Sequence, residues 1–267
     1  FLNSLQNISP NYMKWFPSSN FSDYLFAPFL FIMGWVFSGI GVIGQPHVMI
    51  RFMAINNTDN IPQTRIYYYG WYISFYTLTI CAAFVARLLI PETNNLDPEL
   101  ALPILATKLL PEFLVGVVLA GIFAAAMSTA DSQILSCTAS ITNDLFSNKK
   151  DSYFFNKAIT LIVTLFVVTI AINDNKNVFN LVLISWSTLA CCFSPILIVY
   201  SFKQKITQFL SIMMMVIPLV TLHLWRYFEL NILIYEVAPG ILSGIITFLV
   251  HKFYTKFLLK RLKKNYL

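Results

Sequence analysis

The stretch Leu119-Ala-Gly-Ile-Phe-Ala-Ala-Ala-Met-Ser-Thr-Ala-Asp-Ser-Gln133 sets three hydroxyls and a carboxylate inside an apolar segment long enough to cross a bilayer. Oxygen at membrane depth is costly unless it is paired or used. On a helix, Ala125, Ser128 and Ser132 fall on one face, with Thr129 alongside. Sodium is a hard cation and takes oxygen ligands, as other hard cations do. Two neutral hydroxyls and a backbone carbonyl supply such ligands and, unlike a strongly anionic cage, would let the ion leave again. A second reading stands beside this one, because Ser and Thr commonly bond the carbonyl one turn earlier or a neighbouring helix. Spacing alone leaves both open. Asp131, about one turn past Ser128, has two readings as well: with Ser132 it marks an ion path, or it is a helix-end carboxylate already in water.

The elements that must position these groups are apolar helices. Hydrophobic residues make up 57% and charged residues 11% of 267 positions, too little charge to cover a soluble globule, so a bilayer is the expected solvent. Charge is absent between Asp23 and Arg51, Arg65 and Arg87, Glu112 and Asp131, and Lys176 and Lys203. Each gap can hold a crossing of about 20 residues. Shorter candidates at 158–173, 206–225 and 230–250, the last with Glu236 near one end, bring the expected number of crossings to seven. The third is expected to continue as a helix to Leu145, beyond the lipid.

The first crossing differs from the rest. Ser38-Gly-Ile-Gly41 and Gly44-Gln-Pro46 place three glycines and a proline within nine residues, which predicts a broken helix. Non-helical backbone at this depth is tolerated only where it is buried in protein or lines a cavity, so this crossing should face the interior. Pro195, Pro218 and Pro239-Gly240 in the last three crossings read as kinks.

Thirteen of the eighteen basic residues fall on one predicted face: Arg51, Arg65 and the lysine and arginine groups at 149–157, 203–205 and 252–264. Short basic loops stay cytoplasmic, so the amino end is expected outside and the carboxyl end inside. Residues 1–23, rich in Asn, Ser and Pro, read as an extracellular lead-in of turns rather than a continuous helix. Residues 91–98 read as an acidic outer turn, and 99–110 as a short surface helix. The tail at 252–267 reads as a basic, amphipathic cytoplasmic end suited to anionic headgroups. The net charge of +6 is thus topological, and no nucleic-acid partner is expected. Cys81, Cys137, Cys191 and Cys192 show no CxxC spacing and read as packing residues. His47, His223 and His251 stand apart, so no metal site beyond sodium and no cofactor is expected.

Two motifs, Gly44-Gln-Pro-His-Val-Met-Ile-Arg-Phe-Met-Ala54 and Ala125-Ala-Met-Ser-Thr129 followed by Asp131-Ser-Gln133, resemble the sodium/solute symporter family, whose members carry proline, pantothenate, sugars or sialic acid. The resemblance covers nearly the whole chain. It implies an all-α membrane protein with the inverted-repeat, five-plus-five transporter fold. The chain would hold the second repeat plus two further helices, a single transmembrane region over 1–267 that is the carboxyl-terminal half of a longer transporter. It also implies a sodium site at the Ala125 carbonyl and the Ser128 and Thr129 hydroxyls. Backbone oxygens from helices absent here would complete that site. Substrate would line the broken crossing at Trp35, Ser38, Gly39, Gly41, Val42, Gln45 and Pro46. Proline carriers of the family place aromatics where this chain has Ser38 and Val42. Trp35, about one turn earlier, could substitute, or it could serve as a lipid or helix contact.

Seven crossings with the amino end outside also describe rhodopsins and seven-helix receptors. The last crossing has no lysine for a retinal Schiff base, and a broken first crossing suits a carrier better. No HExxH or catalytic triad suggests a membrane enzyme. A symporter-like sensor would be expected to continue into a signalling domain. The expected function is sodium-coupled import of a small organic solute, an amino acid such as proline or a small carboxylate, across the plasma membrane.

Overall fold

The computed structural model describes residues 2–8, 26–90, 97–146, 148, 152–173 and 178–265. In chain order its helices are α1 (Leu2–Ile8), α2 (Ala27–Ile40), α3 (Pro46–Met53), α4 (Ile61–Leu89), α5 (Ala101–Leu109), α6 (Glu112–Ala139), α7 (Tyr153–Asn173), α8 (Val178–Ser201), α9 (Gln208–Tyr227) and α10 (Val237–Asn265). No strand occurs among the described residues. Seven helical segments are long and apolar enough to cross a membrane, matching in number and order the four expected from the charge-free gaps and the three shorter candidates; the last lies at Val237–Phe257 rather than 230–250. The third continues past α6 as a π-helical turn, Ser140–Leu145, in keeping with the extension expected to Leu145.

Local chemistry explains the boundaries. Thr207 caps α9 by accepting the Leu210 amide at 3.4 Å, satisfying one donor that a helix start leaves free. Asp97 accepts the Glu99 amide at 3.0 Å and opens the 3-10 turn leading into α5. Pro239 sits in the first turn of α10, where its missing amide costs nothing. Two expectations are refined. The lead-in contains the seven-residue helix α1, whose Leu5 is fully buried, and residues 9–25 lie outside the described set. The basic tail does not begin a new element, because α10 runs unbroken to Asn265. Of the outer turn at 91–98, residues 91–96 lie outside the described set.

The contacts divide the chain into two compact units. The first, Phe1–Trp15 with Ala54–Val168, holds α1, α4, α5, α6 and most of α7. In it α5 packs between α4 and α6, and Leu105 closes a small core with Ala86 and Ile90. The most apolar stretches of α6 and α7 bury no residue within the chain.

The second unit, Phe16–Met53 with Thr169–Leu267, holds α2, α3, α8, α9 and α10. There α8, α9 and α10 pack on one another, and α2 with the turn after it packs on α8 and α10. Ile196, Val199, Leu210, Met214 and Phe248 form one core cluster, and Ala190, Val237 and Ile241 another. Lipid tails are as apolar as leucine, so close van der Waals approach at small residues, rather than hydrophobic exclusion, holds such helices together.

Candidate ion and substrate site

The ion-binding candidates share α6 in the first unit, and the substrate-lining candidates share the broken crossing in the second. On α6, Ala125, Ser128, Thr129 and Asp131 are all exposed, and Ser132 is half-buried. Thr129 Oγ1 donates to the Ala125 carbonyl at 3.2 Å. Ser132 Oγ lies 3.1 Å from the Ser128 carbonyl and 2.9 Å from that of Thr129. Back-bonding, one of the two readings that spacing left open, therefore operates at both residues. It spends the hydroxyl proton and leaves the oxygen lone pairs, so Thr129 Oγ1 and the Ala125 carbonyl remain chemically able to face a cation together. Among the described residues no group of three or more His, Cys, Asp or Glu could hold a metal ion. The four cysteines are free thiols.

The broken crossing is built by its glycines and proline. α2 ends at Ile40, a 3-10 turn covers Gly41–Gly44, and Gln45 is extended (φ −89°, ψ 110°) before Pro46 opens α3. A residue preceding proline is driven out of the helical region by the ring's Cδ, and Gln45 obeys. The interruption is fastened to α8. Gln45 is buried, and its Nε2 donates to the Trp186 carbonyl at 3.1 Å. Trp186 Nε1 reaches the Ser38 carbonyl at 3.5 Å, and Ser194 Oγ donates to the Gly41 carbonyl at 3.4 Å. The carbonyls of Ser38 and Gly41 thus find donors on α8, as buried backbone must.

Two glycines make this approach possible. A Cβ on Gly41 would stand 2.7 Å from Ala190 Cβ, and one on Gly44 would stand 2.6 Å from Ser194 Oγ and 3.0 Å from the Leu189 carbonyl. Gly41, Gly44 and Gln45 are accordingly turned to α8. Trp35 and Gly39 lie on the exposed side, and Ser38, Val42 and Pro46 are half-buried. The seven residues expected to line substrate therefore divide into an open face and a fastened back.

Trp35 stacks on Tyr235 with ring centroids 5.4 Å apart and planes 16° apart, yet 47% of it stays exposed. Behind Tyr235 lies a polar cluster that sequence reasoning did not assemble. Ser187 Oγ, fully buried, lies 2.7 Å from the Tyr235 hydroxyl, 3.0 Å from Glu236 Oε1 and 2.7 Å from the Leu183 carbonyl. Arg226 pairs with Glu236 through both Nε, at 3.0 Å, and Nη2. Burial pushes the Tyr235 phenol above its ordinary range, the hydrogen bond from Ser187 opposes that rise, and the Glu236 carboxylate adds to it. The one signal available beforehand was an opposite-charge pair, Arg226 and Glu236, at the two ends of a short connection between apolar segments.

A family model described as "Sodium:solute symporter family" matches residues 1–218. Among curated proteins, a "Sodium/proline symporter" of Escherichia coli (strain K12) is 27% identical over 84% of this chain and 47% of its own length. A "High-affinity proline transporter PutP" of Bacillus subtilis (strain 168) is 26% identical over 78% of this chain and 46% of its own length. A "Sodium/proline symporter 2" of Staphylococcus saprophyticus is 27% identical over 82% of this chain and 46% of its own length. The chain spans about half the length of the curated relatives it matches. No solved structure gives a significant match.

Proposed function

The chain belongs to the sodium:solute symporter family and is a multi-pass membrane protein; from that premise we propose that it forms part of a sodium-driven carrier importing a small amino acid of the proline type across the plasma membrane. In this reading sodium enters from outside and is held by the Ala125 carbonyl and the Ser128 and Thr129 hydroxyls. Further backbone ligands come from the part of the transporter that this chain does not span. The substrate lies against Trp35, Ser38, Gly39 and Val42, while Gly41, Gln45 and Pro46 shape the break behind them. Asp131 and Ser132 mark the ion's path to the inside. Residues 1–23 lie outside the cell, and the basic end of α10 emerges on the cytoplasmic side.

The supporting observation is the interruption at Gly41–Gln45 within a crossing-length apolar segment. An unwound turn in a membrane helix takes backbone dipoles out of the helical ladder; α8 holds the carbonyls of Ser38 and Gly41, and those left on the open side would serve a zwitterionic solute. The names of the three relatives above, sodium/proline or proline transporters, favour proline over a small carboxylate. No covalent bond changes in such a cycle, so no residue is assigned a catalytic role. Sodium and solute each favour the same state, which is what coupling requires, and sodium release into a low-sodium interior resets it.

The test uses a transport-competent protein containing this chain. Ser128→Ala and Thr129→Ala, made separately, are expected to raise the sodium concentration for half-maximal proline uptake by roughly tenfold, the scale of one lost ligand bond. Unchanged sodium dependence in both variants would remove the ion site from α6.

A further inference from the structure

Trp35 projects from the exposed side of α2: Tyr235 stacks on one ring face, Phe31 meets the indole in a T-shaped contact at 6.3 Å, and 47% of the residue stays exposed. The covering ring, Tyr235, belongs to the turn that opens α10, and α2 reaches it only because residue 34 is glycine. A Cβ on Gly34 would stand 2.9 Å from the Tyr235 amide nitrogen and 3.1 Å from Tyr235 Cβ. The ring of Tyr235 is fixed at its far end as well. Its hydroxyl meets Ser187 on α8, and Ser187 also meets Glu236, whose carboxylate is 3% exposed and held by Arg226 from α9. Trp225 adds a clamp to the same turn, its Nε1 donating to the Ile234 carbonyl at 3.0 Å.

Four helices therefore converge to hold one phenol. A stack that served helix packing alone would need only the ring. A buried ion pair is a poor source of stability, and a well-packed apolar cluster would hold the helices as firmly. What hydrogen bonding to a buried, fully paired cluster adds is orientation: it fixes where the ring lies and how it is rotated.

We propose that Tyr235 is a positioning residue for the substrate wall: anchored through Ser187 to the Glu236–Arg226 pair, it sets the plane of the Trp35 indole, whose exposed surface receives the compact aliphatic ring of the solute. This rests on the proposed function above. A half-exposed tryptophan has two side-chain torsions to lose on binding, and a ring already stacked from behind has lost them beforehand, which lowers the cost of association. The indole's flat face suits the C–H surface of a pyrrolidine ring, and its quadrupole also attracts the ring's secondary ammonium.

The experiment uses a transport-competent protein containing this chain, with labelled proline as the probe. Tyr235→Phe keeps the ring and loses the anchor. It is expected to raise the apparent KM by about fivefold, within the range of one net hydrogen bond, while Vmax per transporter at the membrane stays near wild type. Ser187→Ala, which leaves the Leu183 carbonyl at 3.4 Å as an acceptor for the hydroxyl, is expected to raise KM in the same way but less, and the double variant to be no worse than Tyr235→Phe alone. Trp35→Ala should raise KM further, and in that background Tyr235→Phe should have no additional effect. A fall in Vmax or membrane abundance with KM unmoved, or additive effects of the two anchor variants, would reduce the cluster to a scaffold and overturn the proposal.

A second readout does not depend on transport. In protein labelled with 5-fluorotryptophan, the Trp35 fluorine resonance, assigned with Trp35→Phe, is expected to shift in both Tyr235→Phe and Ser187→Ala. A resonance unmoved by either variant overturns the positioning role. Wild-type protein without sodium-dependent proline uptake but with these shifts would instead leave Tyr235 as the positioner and remove the transport reading.

Discussion

Glu236 is a carboxylate with 3% of its surface exposed at the start of a membrane-length helix, and such a charge persists only when paired. Arg226 supplies two donors and Ser187 a third contact. Arg226→Gln would strand the carboxylate. Because Arg226 keeps 26% of its side chain exposed, the loss belongs at the low end for buried pairs, about 2 kcal/mol. Thermal unfolding in detergent should show a lowered midpoint, and Arg226→Met combined with Glu236→Leu should recover most of it. At the same scale, Thr129 and Ser132 show how little residue type settles. Both hydroxyls bond backbone one turn back, a use that spacing allowed from the start.

The broken crossing was legible as an element. Glycines at 39, 41 and 44 with a proline at 46 foretold an interruption, and it falls at Gly41–Gln45. What fastens it was not legible, since Trp186, Ala190 and Ser194 lie more than 140 positions away and carry no local mark of pairing. Gly44→Ala would push a methyl against the Leu189 carbonyl and Ala190 Cα, each at 3.0 Å, and backbone cannot yield there as a side chain can. The expected cost is roughly 1–3 kcal/mol, read as a lowered thermal midpoint. Gly41→Ala meets Ala190 Cβ at 2.7 Å, so adding Ala190→Gly should restore much of its loss. Gly70→Ala on α4 is the contrast: no heavy atom lies within 4 Å, and the gain in helix propensity should raise stability by up to about 1 kcal/mol.

At the scale of the whole molecule, the topology proposed from the distribution of basic residues puts the connection at 203–205 on the cytoplasmic side and that at 228–236 outside. With the four native cysteines replaced by Ala, Lys205→Cys should react with an impermeant maleimide only from the cytoplasmic side, and Asn231→Cys only from outside. The reverse pattern would invert the proposed direction of transport. Sodium at about a hundred times its dissociation constant should stabilise a transport-competent protein containing this chain by about 2.7 kcal/mol, whereas potassium should not. Ser128→Ala combined with Thr129→Ala should abolish the difference between the two salts in a thermal-shift measurement.

The sequence by itself determined the solvent, the number of crossings and the place where one of them breaks, because hydropathy, proline and glycine act through local backbone chemistry that needs no partner. It also brought forward the hydroxyls of α6, which stand out against an apolar background. Only the tertiary structure decided which side of the broken crossing is fastened and which is open, and only it gathered Ser187, Arg226, Tyr235 and Glu236 behind Trp35. Those contacts join residues distant in the chain through small-residue approach and buried hydrogen bonds. Their energy depends on geometry in three dimensions, to which a linear pattern of residue types is blind.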